Sequence, residues 1–266
     1  MKKICNFVCG TAVACFALSL NAGVIAELNS PGNWRNTYAF NPASEGGLIV
    51  KGSNKYPAKN VLPFNPEKSY RFSLKIRRAP GSAPSQFYMI FEPATEEGRT
   101  IAMNHVATIR NSGGTLVEDA KAGSTSVKIK PDMARNWVVV GGWVVAFDAA
   151  DDKSDLPNSK ISPVMKKIDA GTDGTITVTF RSPLRVDAKA GSRVRIHAGG
   201  SYIYVGQMRE TPVEWTEISG TAKGISENWS NSSFPVGTSG IRPVILANWG
   251  AKDTAIEIKD VVVEEL

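Results

Sequence analysis

The chain is short of cysteine, of histidine and of any long helical stripe, and each shortage closes off a chemistry. Its three cysteines, Cys5, Cys9 and Cys15, all stand at or before position 15. The rest of the chain therefore has no disulfide, no thiolate metal site and no cysteine nucleophile. His105 and His197 are the only two histidines, too few for an all-histidine zinc centre. No G-x-S-x-G elbow occurs, so serine-hydrolase chemistry of that type is not expected. Basic residues are interspersed with acids, and "KIRR" at 75–78 is the densest basic cluster. That pattern reads as the exposed side of a strand, and nucleic acid is not an expected partner.

What is present begins with a leader. "MKKICNFVCGTAVACFALSLNAGVIAELNS" opens with two lysines, runs apolar from Ile4 to Leu20, and continues into small residues. This is the pattern of a secretory signal peptide over 1–26, cleaved after Ala22 or Ala26. A retained span is disfavoured because Asn21 arrives at the limit of the ~20 apolar residues a crossing needs. Lipid attachment at Cys15, after "AVA", is disfavoured because Ala stands where Leu is usual. The mature chain is expected to be secreted, periplasmic or extracellular, with no stable membrane span. Its two leader lysines account for two of the six net positive charges, which leaves a mildly basic protein.

The fold shows in periodicity. "SYRFSLKIRR" places Tyr70, Phe72, Leu74 and Ile76 on one side and Arg71, Ser73, Lys75 and Arg77 on the other, as a half-buried strand requires. "GTITVTFRS" repeats the device with Ile176, Val178 and Phe180. Glycine and proline punctuate the chain at short intervals. The expectation is an all-β antiparallel β-sandwich, a jelly roll, over 27–266, with an inserted β-rich subdomain at about 104–206. The phrase "DAKAG" occurs at 119–123 and again at 187–191, each time before an alternating strand. We read it as one turn used twice, with Gly123 and Gly191 supplying a backbone shape other residues resist.

On either side of that insertion the chain resembles the jelly-roll carbohydrate-binding modules attached to bacterial glycan-degrading enzymes. The likeness rests on "NSPGNW", on "YRFSLKIRR" after "FNPEKS", on "VEWTEISG" and on the closing "AIEIKDVVVEE", and covers 28–104 and 206–266. It implies a non-catalytic, galactose-binding-like module that recognises a polysaccharide or glycan. Its expected partner is a separate glycan-degrading enzyme or an envelope component. It also implies a structural calcium between the first strand and the Asp of "IKDVV", which would fall to Asp260 with Glu27, and with Asn29 in reach. The acidic run "FDAADDKSDLPN" fails the calcium-loop template, which wants alternate acids and a central glycine, and reads as a solvated loop.

Sugar rings lie against flat aromatic faces while polar side chains hold the hydroxyls. Trp229, in the polar setting "SENWSNSSF", is the first candidate. Trp249 in "LANWGAKD", Tyr88 in "SQFYMIF" and Trp34 after "SPGN" follow, Trp34 reading first as a plug of the sandwich end and only second as a binding residue. Trp137 and Trp143 flank an apolar run and read as packing. An alternative is a jelly-roll polysaccharide lyase or glycanase, with Arg195, His197, Tyr202 and Tyr204 of "RVRIHAGGSYIY" neutralising a uronate and moving its proton. The competing account of Arg195 and His197 is a solvated strand face. Glu92, Glu210 and Glu214 are carboxylates that sequence cannot pair for a glycosidase. A structural or adhesive surface module is the remaining alternative.

Overall fold

A computed structural model describes residues 23–43, 45–200, 202–226 and 229–266. The leader over 1–22 lies outside the described residues. The protein is all-β, and no α-helix occurs among the described residues. In chain order the principal strands are β1 (Gly23–Glu27), β2 (Leu48–Lys51), β3 (Asn54–Pro57), β4 (Ser69–Arg78) and β5 (Gln86–Ala94). Six shorter ones follow: β6 (Gly114–Leu116), β7 (Ser126–Pro131), β8 (Val144–Phe147), β9 (Met165–Ala170), β10 (Ile176–Phe180) and β11 (Arg193–His197). The chain closes with β12 (Ile203–Met208), β13 (Thr216–Lys223), β14 (Gly240–Trp249) and β15 (Ala255–Glu265).

Two antiparallel sheets form the sandwich. One runs β13-β4-β15-β2, with β1 also paired to β15; the other runs β12-β5-β14-β3. Successive strands repeatedly change sheet, which is the double Greek-key order of a jelly roll. Alternation decides what faces inward. Tyr70, Phe72, Leu74 and Ile76 of β4 meet Phe87, Met89 and Phe91 of β5, together with Ile241 and Ile245 of β14, in one buried core. In β15 the inward set shifts from Ile256 and Ile258 to Val261 and Val263. A β-bulge between Lys259 and Val262 makes that shift possible.

Asp260 occupies the bulge with φ of 52°, a left-handed backbone that Asp tolerates better than most side chains. The amide of Val261 in the same bulge donates to the Asn29 side-chain oxygen at 2.8 Å, which ties the N-terminal segment to the last strand. Trp34 is sealed in the core at 1% exposure. It stacks on Phe40 at 5.0 Å and its indole N–H donates to the Leu28 carbonyl. Trp34 therefore plugs the sandwich, and its candidacy as a sugar-binding residue is withdrawn because no face of the ring is open.

Residues 114–197 contribute a separate six-stranded sheet, β8-β11-β6-β7-β10-β9. It has its own buried cluster, in which Val127, Ile129, Phe147, Val178, Val194 and Ile196 take part. The two "DAKAG" turns meet in this unit. Ala120 and Ala188 exchange backbone hydrogen bonds at 2.9 Å each way. Asp187 accepts from the Ala122 amide at 2.8 Å, and Asp119 accepts from the Ala190 amide at 2.9 Å. Each turn thus caps the other, and both glycines adopt positive φ, 92° at Gly123 and 83° at Gly191. The repeat is a reciprocal clasp.

Replacing Trp34 with Ala removes a fully buried indole, its stack and its hydrogen bond, so Trp34→Ala is expected to lower unfolding stability by about 3–5 kcal/mol. Urea denaturation followed by fluorescence checks this; a loss below about 1 kcal/mol would mean the ring is not the plug described.

Candidate functional site

The outward face of the β12-β5-β14-β3 sheet differs from an ordinary solvated face. Cross-strand register puts Gln207, Tyr88, Leu246 and Lys55 in one row, and Tyr204, Ile90, Val244 and Pro57 in the next. Ile90, Val244 and Leu246 are buried although they point away from the main core. Tyr88, Tyr202 and Tyr204 pack against them. Tyr88 and Tyr204 meet edge to face at 5.6 Å, and Tyr204 meets Tyr202 at 6.1 Å. The Tyr88 hydroxyl donates to Gln86, and Gln86 pairs across the sheet with Trp249. A bulge between Leu246 and Trp249 accounts for the outward turn there. Asn248, at φ of 53°, is sealed and donates to the Val50 and Gly52 carbonyls, while Trp249 stands 46% exposed.

At the other end of this face lies a cleft of about 330 Å³, walled by Tyr202, Trp229, Ile101 and Pro93, with Lys55 and Glu92 lining it. Lys55 reaches from β3 across β14 to β5, where its ammonium meets the Glu92 carboxylate at 2.8 Å. The same ammonium sits over the Tyr202 ring, 4.8 Å from its centre. Glu92 also accepts from Arg242 of β14 at 3.0 Å. Burial pushes the Glu92 carboxyl up, but Lys55 and Arg242 outweigh it and hold the group below the ordinary carboxylate value. Glu92 is thus an ionised carboxylate between two cations. Trp229 is half-buried, leaning on the main core with part of its ring in the cleft, rather than standing free among polar neighbours.

Four of the aromatics singled out from sequence, Tyr88, Tyr202, Tyr204 and Trp229, gather on this face and its cleft, with Trp249 beyond Gln86. Tyr202 and Tyr204 belong here, not with His197. Arg195 and His197 lie on the outward side of β11, but that side is roofed by loops, and the two residues are 8% and 0% exposed. Arg195 donates to the ring Nε2 of His197 at 2.9 Å, to the Ala150 carbonyl and to Asp155 at 2.6 Å. With Nε2 accepting, the proton belongs on Nδ1, which contacts the Asn104 carbonyl at 2.8 Å. Both ring nitrogens are engaged. Burial, with the charge of Arg195 assisting, drives the His197 value down to about 4, so the ring is neutral at pH 7. The lyase set is therefore not assembled, and neither is a solvated face: these residues form an internal polar network. Asp155 belongs to that network, which corrects the reading of its loop as merely solvated.

The expected calcium site does not form either. Asp260 ion-pairs with Lys75 at 3.0 Å, and the side-chain oxygen of Asn29 is used by the bulge. Glu27 is an exposed residue of β1 paired with Val262. Among the described residues no group of three His, Asp or Glu side chains converges, so these residues do not fit a calcium ion. Glu210 is taken up by Arg78. Trp215 of "VEWTEISG" lies on the outward face of the other sheet, with Arg77 and Lys259 over its ring at 4.6 and 4.1 Å.

The members of the site that sequence reasoning missed are Lys55 and Arg242, with Glu92 noted but unpaired. Glu92 in "FYMIFEPA" and Arg242 in "GIRPVIL" are each a lone charge in an apolar strand, and a buried charge demands a partner. No protein-family model matches this chain, and no curated protein matches it. Among the described residues no helix is long and apolar enough to cross a membrane.

The His197 network carries a signature in acid. A histidine whose folded value is depressed contributes stability in full above its unfolded value of 6.5 and loses it as pH falls toward 4. Unfolding free energy should therefore drop by about 1.4 kcal/mol per pH unit across that window, about 3 kcal/mol in all. His197→Gln should flatten that part of the profile. If unfolding free energies from denaturant titrations fall as much between pH 7 and pH 4.5 in His197→Gln as in the wild type, the assignment is contradicted.

Proposed function

We propose that this protein is an exported, non-catalytic β-sandwich module that binds a glycan through the aromatic face and cleft of the β12-β5-β14-β3 sheet. The observation that carries the reading is the pairing of Tyr202 and Trp229, two flat rings, with the ionic hydrogen-bonding groups Lys55 and Glu92 in one cleft. Rings offer the C–H faces of a sugar a dry, flat contact, and charged groups between them take its hydroxyls. Tyr204 and Tyr88 extend the apolar strip away from the cleft, and Trp249 stands past its end, so a polymer rather than a single sugar fits the layout. The resemblance of the flanking segments to carbohydrate-binding modules supports the same reading. A glycan-degrading enzyme or an envelope component is the partner class it suggests.

Glycan-array binding tests this directly. The wild-type chain should bind at least one polysaccharide class, and Trp229→Ala and Tyr202→Ala should each weaken that binding by roughly tenfold, about 1–2 kcal/mol of lost stacking. Because Trp229 also leans on the core, thermal melts of both variants accompany the array. A blank array, or full binding by both folded variants, defeats the proposal.

Export carries its own test. β1 pairs with β15 from Gly23 to Glu27, and Ile25 and Ala26 pack on the main core. Cleavage after Ala22 keeps this strand whole, whereas cleavage after Ala26 deletes all but its last residue. N-terminal sequencing of the exported protein is expected to begin at Gly23, and a start at Glu27 would show that β1 is dispensable.

A further inference from the structure

Among the described residues, charge around the cleft does not balance. Glu92 brings one negative charge and is met by two cations, Arg242 and Lys55. Arg242 is buried at 4% exposure, and its Nε–H has no acceptor among the described residues. Its charge is thus answered on one side only. Lys55 is the accessible member, with its side chain 32% exposed. No other charged side chain lines the cleft among the described residues. The trio therefore holds one net positive charge on a partly dry wall, where Coulomb attraction is weakly screened. By count one cation neutralises Glu92, so the second leaves the trio with an excess of positive charge. An ammonium with three donors, one of them spent on Glu92, keeps donors for a ligand oxygen.

We propose that the cleft selects a sugar bearing an anionic group, a uronic acid in particular, whose carboxylate binds Lys55 while its ring lies against Tyr202 or Trp229. This rests on the glycan-binding reading above and adds the substrate class. A carboxylate beside the ring satisfies the excess charge and the open donors together. A neutral hexose offers hydroxyls alone and covers the Lys55 charge without answering it.

The test compares polygalacturonate with the same polymer after carboxyl reduction, by calorimetry on the full chain, with a sulfated galactan as a third probe. The proposal expects the acidic polymer to bind at least tenfold more tightly than its reduced form, and that ratio to shrink as salt rises. Lys55→Gln should bring the ratio close to one, and Lys55→Arg should restore it. Tighter binding of the sulfated galactan than of polygalacturonate overturns the choice of a carboxylate. Equal binding of acidic and reduced polymers by the wild type overturns the charge selection while leaving the glycan-binding reading standing. Failure of all three polymers, together with a blank array, removes both.

Discussion

A β-strand has two sides, and a two-layer sandwich has a use for only one side of each sheet. Everything distinctive about this protein follows from how the remaining sides are treated. The outward face of the β13-β4-β15-β2 sheet carries a row of ion pairs, Arg71 with Glu264, Lys75 with Asp260 and Arg77 with Glu257, each joining β4 to β15. The outward side of β11 is roofed by loops and closed by Arg195, Asp155 and His197. The outward face of the β12-β5-β14-β3 sheet has neither device. Tyrosines cover its aliphatic residues, and three ionic groups sit at one end with an unequal count of charges. The other two faces are dominated by paired charges, and this one by aromatic rings beside a buried carboxylate and its two cations.

Alternation made the inner layers legible from sequence. The β4 segment alternates half-buried and buried residues along almost its whole length, as its pattern of aromatic, aliphatic and charged residues requires. Parity says which residues share a side, however, and not what covers that side. Arg193, Arg195 and His197 do share a face, but Arg193 stays near solvent, bound to Asp132 and Asp151, while its two companions are sealed. The covering loops come from positions 104 and 150–155, remote in sequence from β11. No local pattern could reveal them.

Bulges are the second place where period-two reasoning loses its hold. At Asp260 and at Asn248 one extra residue resets the alternation, and in both cases the residue is an Asx side chain in the left-handed region. The resemblance gave Asp260 a metal to hold. The structure gives it a conformation to supply and an ion pair to Lys75. At Asn248 the same device seals the amide among backbone carbonyls and turns Trp249 outward, so a candidate ring owes its exposure to a buried neighbour.

The ionic trio repays a closer physical reading than the surface pairs do. An exposed ion pair contributes roughly 0–1 kcal/mol, because water screens what the pair gains. Such a pair can be kept or lost without consequence for the fold, and its presence says little about function. Glu92 and Arg242 are buried, so each is costly without the other, and removing one member of such a pair typically costs about 3–5 kcal/mol. Their mutual neutralisation is a requirement of folding. Lys55 is the more exposed partner of Glu92: it comes from the edge strand β3, crosses β14 and rests on Tyr202 where the sheet opens into a cleft. A second cation carried across another strand to a carboxylate that Arg242 already meets, and to an aromatic wall, sets this face apart from the surface pairs of the other sheet.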